Sequence, residues 1–62
     1  MNINLLRKEF EKILAVEEDA KNLYDRYIDQ IADVDIKNKL ISIRDDEIAH
    51  IRMAKQLIDV VS

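Results

Sequence analysis

The chain has 62 residues, 48% apolar and 37% charged, a formal charge of −3, and no Gly, Pro or Cys. That length allows one small domain, marginal as a monomer, and the lack of Cys removes a disulfide framework and a thiolate zinc site as supports. Without Gly or Pro the sequence is poor material for an all-β domain and holds no phosphate loop or dinucleotide fingerprint, and its acidic balance argues against a nucleic-acid partner.

From the N-terminus, Asn2 or Asn4 offers a helix cap, and apolar residues then recur at three- and four-residue steps. Ile3, Leu6, Phe10, Ile13, Ala20, Tyr24, Tyr27 and Ile31 make one seam, which predicts a helix over 4–31. The phase breaks across Ala32-Asp33-Val34, read as a turn over 32–34. Asp33 is the N-cap candidate for a second helix over 35–60, and Asp35 faces its positive dipole end. The second seam is Ile36, Leu40, Ile43, Ala54, Leu57 and Val61. Leu14 and Ile28 flank the first seam, and Ile41, Ile48, Ile51 and Ile58 flank the second, giving the wide stripe of a bundle helix. At ~1.5 Å per residue each helix is roughly 40 Å long.

The expected fold is therefore all-α: residues 1–62 as a single antiparallel two-helix hairpin. One hairpin cannot enclose both stripes, so a C2 dimer forming a four-helix bundle is the simplest closed solution. No apolar run approaches the ~20 residues of a membrane span. The start Met1-Asn2-Ile3-Asn4-Leu5 lacks a signal-peptide core, so a cytoplasmic protein with no membrane partner is expected.

Three seam positions are occupied by ionisable residues: Glu17 on the first helix, Glu47 and His50 on the second. A desolvated carboxylate costs several kcal/mol unless it is paired or metal-bound. Glu17 lies about sixteen residues before the turn, Glu47 about thirteen after it and His50 about sixteen after it, so all three fall at one level, roughly 20–25 Å from the turn. Glu47 and His50, at i and i+3, share a face. A dimer would bring four Glu and two His to a common interior, the ligand set of a di-iron or di-manganese carboxylate site. Tyr24, two turns beyond Glu17, is the candidate supporting hydroxyl, while Ala20 and Ala54 leave room beside the ions.

Each residue alone has an ordinary explanation. A single His on an apolar stripe is commonly a core residue, and a single seam Glu is commonly a register device. Tyr24 and Tyr27 read first as core aromatics, Asp45-Asp46 as a solvated acidic face, and Arg44 as a partner of surface acids. Glu18 lies 100° off the seam, which leaves Glu17 as the ligand. The shared level and the Glu-x-x-His spacing set the three apart.

Glu17, the Leu23-Tyr24-Asp25 segment and Arg44-Asp45-Asp46-Glu47-Ile48-Ala49-His50 together resemble the ferritin-like superfamily, with a Glu on one helix and Glu-x-x-His on its neighbour. With a single helix pair, the chain is most similar to the encapsulated ferritins, hairpins that dimerise to assemble a ferroxidase centre and load into encapsulin shells. The resemblance covers about Glu17 to Ala54. It implies that Glu17, Glu47 and His50 are metal ligands and catalytic residues and that Tyr24 supports them. It also implies that the cofactor is a di-iron centre, with Mn as the alternative. The implied activity is oxidation of Fe(II) to Fe(III) in iron storage or detoxification, by a homo-oligomer in the cytoplasm or inside an encapsulin nanocompartment. Val16 stands where family members often carry an acid on the iron-uptake path, and Asp19 keeps one at another such place. The competing expectations are a non-enzymatic helical dimerisation module with a buried Glu/His network, and a rubrerythrin-like peroxidase served by a separate electron donor.

Overall fold

The computed structural model describes all residues, Met1–Ser62. Two helices account for nearly all of it: α1 (Ile3–Gln30) and α2 (Val34–Val60), packed against each other as an antiparallel hairpin. Asn2 caps α1, its side chain accepting from the Leu5 N–H at 2.8 Å. Asp33 caps α2 in the same way, accepting from the Ile36 N–H at 3.0 Å, with Asp35 in the first turn against the positive end of the dipole.

The connection, Ile31-Ala32-Asp33, explains how a chain without glycine turns back. Helices commonly end on a left-handed residue, usually Gly. Here no residue has positive φ. Ile31 instead switches to extended backbone at φ −93° and ψ 128° while its N–H still donates to the Tyr27 carbonyl, and Asp33 at φ −65° and ψ 121° starts the next helix. Extended backbone suits a β-branched residue such as Ile31, so the turn is built without strain.

The helices meet along one half of each expected seam, with Phe10, Tyr24, Ile31, Leu40, Ala54 and Val61 in the contact as expected, together with residues that flank the seams. Arg7, Phe10, Leu14, Glu17, Lys21, Tyr24, Ile28 and Ile31 mark the contact line from α1, with Leu6, Ala20 and Asp25 partly covered beside it, and Lys37, Leu40, Arg44, Glu47, Ile51, Ala54, Ile58 and Val61 mark it from α2, with Ile41 and Ile48 beside it. Ile28 and Ala54, at 8% and 5% exposure, are the only buried residues. Ile13, Tyr27, Ile36, Ile43 and Leu57, expected to lie in the contact, are instead exposed. The reason is geometric. Each helix carries an apolar stripe wider than 100°, and a two-helix contact covers only half of it. The hairpin takes the Leu14–Ile28 half of α1, together with Ile51 and Ile58 on α2.

The uncovered halves share one side. Ile13, Ala20 and Tyr27 recur every seven residues on α1, as do Ile36, Ile43, His50 and Leu57 on α2. In an antiparallel pair, residues displaced in the same rotational sense from each seam fall on the same face of the hairpin. The molecule is a rod of 47 × 14 × 14 Å with one greasy side. Its accessible surface is 4746 Å² for 7.3 kDa, against about 4,200 Å² expected of a compact monomer of that mass. No helix is long and apolar enough to cross a membrane.

Candidate metal centre

The antiparallel pairing brings the three seam ionisable residues together. Glu17 comes from the middle of α1; Glu47 and His50 come from consecutive turns of α2. His50 Nδ1 stands 3.5 Å from Glu17 Oε2 and 4.0 Å from Glu47 Oε2. One ligand atom from each residue lies within 4.8 Å of the others. Two donors on one ion at about 2.0–2.6 Å each stand no more than about 5 Å apart, and this set meets that bound.

The two carboxyl groups differ in what surrounds them. Glu47 is the more enclosed, its side chain 19% exposed, and its Oε2 is buried with no hydrogen-bond partner. Its carboxyl is held above the ordinary carboxylate range, first by the proton-sharing contact with Glu17, then by burial, and then by the charge of Glu17; the nearby His50 acts in the opposite direction. The orphaned oxygen and the raised affinity for a proton have one cause. Two ionised carboxylates can only accept, so something positive has to sit between them. A shared proton meets that need, and a bound cation meets it with full charge. The donor set, two carboxylate oxygens and one imidazole nitrogen, is one that can hold a divalent cation.

His50 closes the group from the uncovered side. Half of its side chain is exposed, and it belongs to the same face as Ile43 and Leu57. Ala54, one turn beyond His50, is buried, and Ala20, one turn beyond Glu17, is partly covered. A shallow groove lined by Glu9, Lys12, Ile13, Val16 and Glu17 opens beside Glu17. Glu9 is paired there with Lys12 at 3.0 Å, whereas Glu17 has no Lys or Arg partner and faces His50.

Tyr24 is partly covered in the seam but makes no hydrogen bond to Glu17 or Glu47. Its ring packs edge-on against Tyr27, with centroids 6.5 Å apart and planes at 85°. Glu18 is exposed, away from the group.

A second polar cluster, not foreseen from the sequence, lies nearer the turn. Asp25 accepts from Arg44 Nη1 at 2.9 Å, the one side-chain hydrogen bond between the helices, and pairs with Lys21 at 2.6 Å. Arg44 also donates through Nε to Asp45 at 3.1 Å. Hydrogen bonds from Lys21 and then Arg44 hold the Asp25 carboxyl below the usual range, and Asp25 and then Asp45 raise Arg44. The signal in the sequence was that Lys21 and Arg44 occupy hairpin-facing positions, in step with Leu14, Glu17 and Ile28 on α1 and with Glu47 and Ile51 on α2.

Comparison of the chain with protein-family models, with curated proteins and with solved structures returned no match. The hairpin and its Glu/Glu/His group are therefore what the molecule itself offers to a functional reading.

Proposed function

We propose that the protein is a ferritin-like di-iron carboxylate ferroxidase, active as a dimer of hairpins. The observation that carries the reading is the Glu17–Glu47–His50 group, with three donors in reach of one ion and a buried carboxylate oxygen that nothing in the chain satisfies.

The uncovered face supports the dimer. It displays Ile13, Tyr27, Ile36, Ile43 and Leu57 on the same side as His50. The molecule's surface exceeds the compact-monomer value by roughly 550 Å², and a stable interface takes about 800 Å² from each partner. A two-fold axis passing near the level of His50 would place two Glu/Glu/His groups side by side, giving four carboxylates and two imidazoles.

In this reading iron is the substrate. Two Fe(II) ions and one O₂, with two protons, give two Fe(III) ions and one H₂O₂. The four carboxylates offset the charge of the iron pair and, as hard donors, favour the ferric product. The imidazoles complete the donor set from the interface. Leu57, Ile43 and their symmetry mates would keep bulk water out. Storage of the product needs an enclosing shell, for which an encapsulin nanocompartment is the candidate partner.

The test is aerobic Fe(II) oxidation followed by ferric absorbance, with sedimentation to establish the oligomer. A dimer that oxidises Fe(II) faster than buffer, and a Glu47→Ala variant that does not, are the expected results. An oxidation rate equal in the two proteins overturns the assignment. A second reading draws on the 3.5 Å contact between His50 and Glu17: a register-fixing Glu/His network in a dimerisation module. It predicts a dimer whose melting temperature ignores Fe(II), Mn(II) and chelator alike.

A further inference from the structure

The metal-free Glu17–Glu47 pair poses a mechanical problem. Glu17 and Glu47 face each other across the seam, and at that level the side chains that cross it make the 3.5 Å contact of His50 Nδ1 with Glu17 Oε2, while Glu47 Oε2 has no hydrogen-bond partner. The turn that joins the helices is roughly 24 Å away, sixteen residues along α1, and has little leverage there. Packing beside the cluster is by small or half-buried side chains, Ala54, Leu14 and Ile51, and Ile28 is the one other buried residue. Something nearer must hold the helix spacing before a cation arrives.

We propose that Asp25 and Arg44 form a positioning clamp that holds Glu17 against Glu47 and His50 in the metal-free protein. The inference rests on the ferroxidase reading for its purpose, but the clamp itself is visible without it. Arg44 Nη1 to Asp25 Oδ1, at 2.9 Å, is the one side-chain hydrogen bond that crosses between the helices. Asp25 lies eight residues beyond Glu17 and Arg44 three residues before Glu47, so the clamp sits between about 5 and 12 Å from the cluster, on its turn side.

The local chemistry makes the clamp directional. Lys21 holds the second oxygen of Asp25, and Asp45 holds Arg44 Nε, so both clamp groups are fixed by a neighbour on their own helix. Asp25 continues the Glu11–Glu18 stripe of α1, on the far side of the seam from Ile13, Ala20 and Tyr27. The clamp therefore leaves the greasy face free for a second copy. Both clamp side chains are about 70% covered, 28% exposed for Arg44 and 32% for Asp25. An ion pair so placed adds little to global stability, and fixing register is the better-attested role of such pairs.

The experiment measures helix spacing at the level of the cluster in the metal-free protein. The chain has no Cys, so nitroxides are placed by Asp19→Cys and Ala49→Cys on the outer sides of α1 and α2, with labelled protein diluted into unlabelled protein. The parent should give one narrow distance distribution. Arg44→Met and Asp25→Asn should each shift or broaden it by about 2 Å, the size of a packed-helix displacement, with helicity by circular dichroism unchanged. Arg44→Lys should restore most of the parent spacing. Mn(II) affinity, read by electron paramagnetic resonance, should fall about tenfold in Arg44→Met, as for other groups that orient ligands. The double variant should lose no more than either single one, because both act through one bond. An unchanged distribution in both single variants overturns the clamp, and so does a change matched by lost helicity. A parent that holds no Mn(II) overturns the ferroxidase reading instead, and the metal-free spacing still decides the clamp.

Discussion

Two polar clusters sit in the middle of this hairpin, and they solve the problem of burying charge in opposite ways. Around Asp25, one carboxylate meets two cations, Lys21 and Arg44, and its pKa is pushed down. Around Glu47, two carboxylates meet one half-exposed imidazole, and the pKa is pushed up. The first cluster is complete within the chain. The second leaves Glu47 Oε2 without a partner. Burial raises both carboxyls, so it does not account for shifts of opposite direction; the sign of the neighbours does. A charge-balanced group is structure, and a group with surplus negative charge is an invitation to a cation.

The sharpest way to break this contrast is to remove the surplus. Glu47→Ala should lower Fe(II) oxidation more than about a hundredfold, beyond the 10–100-fold typical of groups that merely orient ligands. It should also raise the melting temperature of the metal-free protein, because the Glu17–Glu47 repulsion is gone. Arg44→Met removes charge from the balanced cluster and should leave the metal-free melting temperature unchanged or slightly lower. Absorbance kinetics and thermal melts check the pair, and both melts moving in the same direction would erase the contrast.

The next effect is on ligand-linked stability. A cation at a hundred times its dissociation constant stabilises the folded form by about 2.7 kcal/mol. Melts with and without Mn(II) should show that gain in the parent and lose it in Glu17→Gln. Asp45→Asn touches only the rim of the balanced cluster and should keep the gain whole.

The fold was legible in the sequence because its signals are local. Asn2 and Asp33 announce the helix starts, the break at Ala32-Asp33-Val34 announces the turn, and equal distances from that turn bring Glu17, Glu47 and His50 to one level. The packing face was not legible. Periodicity reveals a stripe but not which half of it meets the neighbouring helix, so it places Phe10, Tyr24, Leu40 and Ala54 in the contact correctly but adds Ile13 and Tyr27, where Leu14 and Ile28 serve. The same ambiguity hid the clamp. Arg44 reads as a surface residue if Ile43 faces the partner helix, and as a seam residue once Ile51 and Ala54 do. Tyr24 fell on the seam as expected, but its hydroxyl direction depends on a rotamer that spacing cannot supply.

Acidity separates the clusters by sign. Glu47 holds its proton more tightly when folded, so the unfolded chain ionises first as pH climbs past the ordinary value of 4.5. Stability of the metal-free protein should therefore fall across that window and level off above the raised value. Asp25 is the reverse: its contribution is complete above the ordinary 3.8 and drains away as pH falls toward the lowered value. Melts against pH should peak between the two. Glu47→Gln should flatten the upper limb and Asp25→Asn the lower one, and saturating Mn(II) should abolish the upper limb alone.

The smallest expected effect isolates the mid-hairpin clusters from the turn. Asp33 accepts from the Ile36 N–H at 3.0 Å and sits in the three-residue connection. Asp33→Ala should cost about 1 kcal/mol, the usual loss of a helix N-cap. If the clusters are governed by their own neighbours, that loss should appear in the melts of parent, Glu47→Gln and Arg44→Met proteins alike, since distant independent sites add. Mn(II) affinity should not move. A drop in affinity with Asp33→Ala would mean that the turn, roughly 24 Å from the cluster, still sets helix spacing there. The Asp25–Arg44 bond would then be following the helices rather than holding them.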